Sequence, residues 1–273
     1  MKFGMGQPLK RLEDNRLLTG NGIYTDDISF SNQSYMYILR SPHASAKILN
    51  IDTSDAIEIK GLFKIINWKD IADLSINDMR TTFLVKNRDG KEMEDTPRHI
   101  LAKNYVRYVG DPILAIVAES LSIAENVAEK IIIDFEELDS VSSISSAIRD
   151  QAPLVRESLS NNLCFDWELG NKEETQKTVD ESTYKTNIQL INNRLVPNPM
   201  ECRSTIGIYD DQKDEYTLYC SSQGVHSLKR KLSTIFNKPE KNIHVITKDV
   251  GGGFGMKIFN YPEYVLSLAA SNL

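Results

Sequence analysis

Apolar positions along the chain fall into short runs with two different periods, and the change of period marks out the elements. Residues 35–39 and 48–51 are brief apolar stretches bounded by turn formers, and each predicts a strand. The run Ile113-Leu114-Ala115-Ile116-Val117-Ala118 shows no alternation, the pattern of a strand covered on both faces. Directly after it, Ile123, Ala124, Val127 and Ala128 recur at helical spacing behind Ser120 or Ser122, either of which can cap a helix. Ile131-Ile132-Ile133-Asp134-Phe135 returns to strand character. Strand, helix and strand from 113 to 135 thus predict a compact α+β unit. The charged, turn-rich stretch 79–97 predicts a surface loop, and Ser-rich 140–146 a domain boundary near residue 150.

The second half repeats the exercise with clearer punctuation. The acidic stretch 168–181 predicts a solvated helix or loop, and 188–196 a strand ending at Pro197-Asn198-Pro199. Residues 205–209 and 216–221 alternate around a polar turn at 210–215, which predicts a hairpin. Leu228, Leu232, Ile235 and Phe236 share one face of a helix over 225–236, stopped by Lys238-Pro239. A strand over 243–247 leads through Asp249-Val250 into Gly251-Gly252-Gly253-Phe254-Gly255. Pro262 and Glu263 open a last helix carrying Val265, Leu266, Leu268 and Ala269. With no element in view to receive that apolar helix, the chain is expected to be the N-terminal piece of something longer. The first forty residues, rich in turn formers and charge, read as an extended lead-in.

Composition narrows the classes. At roughly 150 residues per domain, 273 residues suggest about two domains. A hydrophobic share of 41% with 26% charged residues is that of a folded globular chain. The net charge of -6, without a basic tract, argues against nucleic acid and anionic membrane as partners. No apolar run approaches the roughly 18 residues of a membrane span, and residues 1–8 lack the apolar region of a secretory leader. Cys164, Cys202 and Cys220 are scattered and form neither a disulfide framework nor a metal cluster, which fits a reducing cytoplasm.

Candidate chemistry is concentrated at the glycine run. Glycines let backbone amides approach a ligand where side chains would block them, and such a turn favours phosphate or another anion. The run is not a phosphate-binding P-loop, because Met256-Lys257-Ile258 follows Gly255, nor does its spacing fit a dinucleotide fingerprint. It is either a cofactor cradle or a structural turn. Gln223, where the hairpin hands over to the helix, can donate and accept hydrogen bonds, or can simply be a surface residue at a helix start. His43, His99, His226 and His244 lie far apart without ligand spacing, and Lys229-Arg230-Lys231 reads as an exposed face.

Several segments taken together, in order, resemble one family. They are Arg11-Leu12-Glu13-Asp14-Asn15-Arg16-Leu17-Leu18-Thr19-Gly20 with Tyr24-Thr25-Asp26-Asp27-Ile28, and Val106-Arg107-Tyr108-Val109-Gly110-Asp111-Pro112. The second half adds Asn193-Arg194-Leu195-Val196-Pro197-Asn198-Pro199-Met200-Glu201, Ser222-Gln223-Gly224, and Asp249-Val250-Gly251-Gly252-Gly253-Phe254-Gly255-Met256-Lys257. The set resembles the molybdopterin-binding large subunit of the xanthine dehydrogenase and aldehyde oxidase family, nearest its aerobic carbon monoxide dehydrogenase branch.

The resemblance implies an α+β chain: an α/β hammerhead domain over 1–148, then the beginning of the first molybdenum-cofactor-binding domain over 149–273. It implies an oxidoreductase of the carbon monoxide dehydrogenase or xanthine/aldehyde oxidase type. Molybdenum would be held by molybdopterin, in bacterial members the cytosine dinucleotide form, and by no protein ligand. Gln223 matches the family glutamine that hydrogen-bonds an oxygen ligand of the metal and is the candidate catalytic residue. Gly252, Gly253, Phe254 and Gly255, with Gln223, match the residues lying against the cofactor. The carbon monoxide branch also holds copper. Implied partners are the rest of the large subunit, an FAD-binding medium subunit, an iron–sulfur small subunit carrying 2Fe-2S clusters, and a small-molecule substrate.

Two departures bear on this. Ile258 stands where the purine and aldehyde branch carries a glutamate, which removes a candidate substrate-binding acid, and Met200-Glu201-Cys202-Arg203 replaces the family's Met-Glu-Pro-Arg. Aldehyde or N-heterocycle hydroxylation is the alternative substrate class. Because the family chain is nearly three times as long, this chain by itself is expected to be inactive. A truncated relic or interaction module is the non-enzymatic alternative, and an unrelated nucleotide-binding α/β protein rests on the glycine turn alone.

Overall fold

The computed structural model describes residues 5–273, so residues 1–4 of the stretch read for a leader lie outside the described residues. By its internal contacts the chain forms two compact units, one made of Ser34–Val196 and one that joins the lead-in up to Gln33 with Pro197–Leu273. The lead-in carries one short helix, α1 (Asp14–Leu18).

The unit Ser34–Val196 holds six strands, β1 (Tyr35–Arg40), β2 (Ala46–Asp52), β3 (Leu62–Ile66), β4 (Tyr105–Val106), β5 (Pro112–Ala118) and β6 (Ile132–Glu137). They form two antiparallel three-stranded sheets, ordered β1-β5-β3 and β4-β2-β6. Strand β5 sits between two neighbours and contributes Ile116 and Ala118 to one apolar cluster and Ile113 and Leu114 to another. That double duty is why its sequence is apolar without alternation. Pro112, which lacks an N–H, takes the first strand position, where its missing donor does least harm.

Three helices flank these strands. Helix α2 (Trp68–Asp73) is closed by a capping box in which Asn67 accepts from Lys69 N at 2.8 Å and Asp70 accepts from Asn67 N at 2.9 Å. Helix α3 (Leu121–Lys130) starts at Ser120, whose Oγ accepts from Ile123 N, and it buries Ala124, Val127 and Ala128 against the β1-β5-β3 sheet. A short α4 (Ile144–Ala147) follows. The predicted strand–helix–strand segment is present, but its two strands, β5 and β6, lie in different sheets. The stretch 79–97 is a loop, with only isolated bridges. Helix α5 (Lys172–Glu181) buries nothing, as its acidic sequence implies.

The strand expected at 188–196 does not form. The backbone there takes no regular structure and is exposed, with no ladder partner among the described residues. Apolar content had suggested a strand, yet a ladder also needs a neighbouring edge.

The remaining unit is a three-stranded sheet, β7 (Thr205–Asp210), β8 (Glu215–Cys220) and β9 (Ile243–Ile246), in that order. β7 and β8 are the predicted hairpin, and β9 runs parallel to β8 after a crossover through α6 (Val225–Ile235). Tyr216, Leu218 and Cys220 alternate into the core along β8. The last helix, α7 (Pro262–Asn272), was expected to have nothing to receive it; instead it packs on β7 and β8 and buries Tyr264, Val265, Leu266, Leu268 and Ala269. The contact is close because β7 has a glycine at 207. A Cβ there would stand 2.2 Å from the carbonyl oxygen of Ser267. No helix among the described residues is long and apolar enough to cross a membrane.

Candidate cofactor-binding site

Two chain reversals build the site. One is Ser221-Ser222-Gln223-Gly224, at the carboxyl end of β8 where the chain turns into α6; the other is the glycine run that follows β9. Parallel β8 and β9 run in the same direction, so the segments leaving their ends emerge side by side, as ligand-binding turns do in open α/β sheets.

The structure brings Gln223 and the glycine run together. Gln223 N donates to the Lys257 carbonyl at 3.0 Å, and its Oε1 accepts from Gly255 N at 3.0 Å and Lys257 N at 3.1 Å. Two backbone donors can be met only by the carbonyl side of the carboxamide, so they fix which way it faces. Both Nε2 hydrogens are then left to donate outward from an exposed side chain. Gly253 is what allows the approach: a Cβ there would lie 2.5 Å from Gln223 Cδ.

Around it the backbone winds through left-handed conformations, with φ of +96° at Gly252, +49° at Phe254 and +88° at Gly255. For Phe254 this conformation costs about 1–2 kcal/mol, and the ring it holds is 71% exposed. Gly252 faces that ring so closely that a Cβ would meet it at 3.0 Å. The result is a bend faced with amides and one aromatic side chain.

A charged network beneath the bend was not foreseen from the sequence. The Lys257 side chain is fully buried and its Nζ donates to Glu201 Oε2 at 2.8 Å. The same oxygen accepts from Ser221 Oγ at 2.7 Å and Gly251 N at 2.7 Å, so one carboxylate ties three segments of the site. Burial alone would raise the Glu201 carboxyl; the Lys257 ammonium, the Ser221 hydroxyl and the Gly251 amide outweigh it and hold the group below its ordinary value. Glu201 and Lys257 both fell inside quoted motifs, but their pairing spans 56 positions, and no local pattern carries a contact of that range.

A second anchor joins the lead-in to the loop. Asp249 accepts two hydrogen bonds from the Arg16 guanidinium and one from Ile23 N at 2.7 Å, and Arg16 chiefly, with that amide, holds its carboxyl down to about 2. Cys220 ends β8 fully buried, and burial pushes its thiol up to about 12, so it is no nucleophile. The Arg203 guanidinium stacks 3.6 Å over the Tyr261 ring.

Two observations bear on whether these residues suit a bound group. At Gly255 the bend faces open space, where an added Cβ would meet nothing within 4 Å, and Asn260 is buried with neither carboxamide atom partnered among the described residues. Amide donors without side-chain bulk suit an anionic, flat, pyrophosphate-bearing group. A hollow of about 900 Å³ lies in the other unit beside the Arg88–Asp166 ion pair, and neither Gln223 nor 252–255 lines it.

Residues 19–139 match the a/b hammerhead domain of aldehyde oxidase and xanthine dehydrogenase, and residues 155–273 match the molybdopterin cofactor-binding domain. The chain belongs to the aldehyde oxidase and xanthine dehydrogenase family, as its ordered motifs implied.

Among its relatives, the carbon monoxide dehydrogenase large chain of Afipia carboxidovorans is 31% identical over 98% of this chain, which covers 33% of that protein. The nicotine 6-hydroxylase large subunit of Paenarthrobacter nicotinovorans is 32% identical over 98%, which covers 32% of it. The solved quinoline 2-oxidoreductase of Pseudomonas putida 86 superposes with a TM-score of 0.86 over 98% of this chain and 33% of its own, at 29% identity. The chain therefore spans about a third of the length of these relatives.

Proposed function

We propose that the chain supplies the hammerhead domain, with its boundary at 148–149, and the first portion of the cofactor domain of a molybdenum hydroxylase large subunit. The supporting observation is the Gln223 carboxamide, turned by Gly255 N and Lys257 N so that its two remaining hydrogens face outward beside an amide-lined bend. When bound, a molybdenum–molybdopterin group supplies two-electron oxidation of a small molecule. Gln223 Nε2 donates to an oxygen acceptor of that group and orients it. The amides of Gly252 and Gly253, with the Phe254 ring beside the turn at Gly255, receive the pterin and, in the cytosine dinucleotide form, its pyrophosphate.

In this reading the Glu201–Lys257 pair is a positioning element. It holds Gly251 and the backbone of 257 in place, and so fixes the carboxamide that reads the cofactor. The branch is that of carbon monoxide dehydrogenase, whose centre also holds copper, with aldehyde or N-heterocycle hydroxylation as the alternative. Half-exposed Ile258 at the position of the purine-branch acid weighs against a purine substrate. The remaining contacts belong to polypeptide outside this chain, so the chain turns over substrate only with the rest of the large subunit. The FAD-binding and iron–sulfur subunits carry electrons away, in the cytoplasm.

The test is retention of pterin and molybdenum when the chain is purified, with the polypeptide completing the large subunit, from a host making the dinucleotide cofactor. Wild type should carry both. Gly253→Ala, whose Cβ must displace Gln223, should fold with a loss of about 1–3 kcal/mol and lose most of the pterin. Full pterin in Gly253→Ala, or none in the wild-type pair, defeats the reading.

A further inference from the structure

Every residue from 167 to 196 is exposed. Helix α5 lies in this stretch and buries no residue. After Ser182 the backbone forms no helix or strand, and through Val196 it makes no backbone hydrogen bond to another described residue. Yet this stretch is not polar. Ile188 is 72% exposed, Leu190 77%, Ile191 86% and Leu195 79%. In an extended chain Ile188 and Leu190 point to one side and Ile191 and Leu195 to the other. Each side therefore exposes apolar residues, set among Asn192 and Arg194 on one side and Gln189 and Asn193 on the other, in a segment with no ladder neighbour among the described residues.

An isolated ten-residue helix and a lone strand are each marginal in water, and here neither the helix nor the segment after it buries a residue that would order it. The segment needs an occupant that provides a strand edge and apolar cover at once. The relatives point to its source. The quinoline 2-oxidoreductase chain follows the same path over 98% of this one and is three times as long, so polypeptide absent here is present there.

We infer that residues 186–196 form a docking strand for the polypeptide corresponding to the other two thirds of these large subunits, joined by β-strand addition. The docked strand becomes interior, with Ile188 and Leu190 covered on one face and Ile191 and Leu195 on the other. This rests on the reading of the chain as part of a large subunit, but not on molybdenum or pterin.

The test uses the full chain and the polypeptide from the same genome that matches the remaining two thirds of the relatives, co-expressed in a host lacking molybdopterin. Alone, the chain should be monomeric, with amides 183–196 exchanging at unprotected rates. In the pair those amides should be protected by at least a hundred-fold. Gln189→Pro, which blocks pairing along the strand, and Ile191→Lys, which charges one face, should each weaken the pair at least ten-fold. Both should leave the melting temperature of the isolated chain unchanged, since residues 189 and 191 are exposed and lie in no helix or strand.

Protection of 183–196 in the isolated monomer would overturn the proposal, as would a concentration-dependent dimer in which a second copy protects them. Absence of a pair, or a pair indifferent to both substitutions, overturns it as well. A pair that forms through the strand yet never retains pterin in a competent host would sustain this inference while sinking the proposed function.

Discussion

Replacing Lys257 by methionine isolates the network beneath the glycine bend. The side chain is fully buried and the new one has similar length and volume, so packing changes little while the ammonium disappears. Glu201 keeps Ser221 Oγ and Gly251 N but loses the Lys257 cation, at 2.8 Å, and its Oε1 already lacks a partner among the described residues. Breaking a buried pair by removing one partner costs about 3–5 kcal/mol.

Tryptophan fluorescence cannot report this, because Trp68 and Trp167 both lie in the unit Ser34–Val196. Native-state hydrogen exchange of peptides spanning β8, α6, β9 and α7 can, and it should show their opening free energy falling by that amount. Adding Glu201→Gln to Lys257→Met should recover part of the loss, with an interaction energy of about 0.5–3 kcal/mol. The pH dependence has a definite sign. Glu201 titrates low in the folded wild type, so its contribution is present above the ordinary carboxylate range and fades as pH falls through the depressed value. In Lys257→Met the buried, uncompensated carboxylate titrates high instead, so the gap between the two proteins should be widest near neutrality and narrow in acid. A single-variant loss within about 0.5 kcal/mol, the range of surface substitutions, would refute the assignment of a keystone pair.

Two further outcomes are expected. Gly207→Ala places a methyl 2.2 Å from the Ser267 carbonyl oxygen, a backbone atom that cannot swing aside. It should push α7 off the sheet at a cost of about 3 kcal/mol or more, read as lost exchange protection in 262–272. Asp249, held at about 2 by Arg16 and by Ile23 N, stabilises the folded state above its unfolded carboxyl range, and that stability drains away between about pH 4 and pH 2. Asp249→Asn should therefore flatten the acid limb of a denaturation profile monitored on the lead-in; an unchanged limb counts against the clamp.

Local pattern made most of the elements legible. The unalternating run at 113–118, the Ser120 cap and the polar turn at 210–215 each correspond to an element found where it was expected. What escaped was long-range. The chain places β5 and β6 in different sheets although one helix joins them, and no periodicity encodes which edge a strand will find. Strand β3 and helix α2 went unread because their apolar runs are short and broken by Lys64, Lys69 and Asp70. At the site, the meeting of Gln223 with the glycine run was anticipated only through the family resemblance. The geometry then supplied a reason in Gly253, the one residue type that leaves room for the carboxamide. Glycine count marked the loop; the ion pair that supports it was hidden because a glutamate and a lysine far apart in sequence look like any two surface residues.

The clasp between Arg16 and Asp249 sets a schedule for biosynthesis. The two residues are separated by 233 positions, so the guanidinium leaves the ribosome long before its carboxylate exists. At about 5–20 residues per second, the interval is on the order of 10–50 s. Throughout that time the Arg16 segment of the nascent chain must wait unpaired, within reach of chaperones and proteases, and the glycine bend can be braced only once Asp249 has been made.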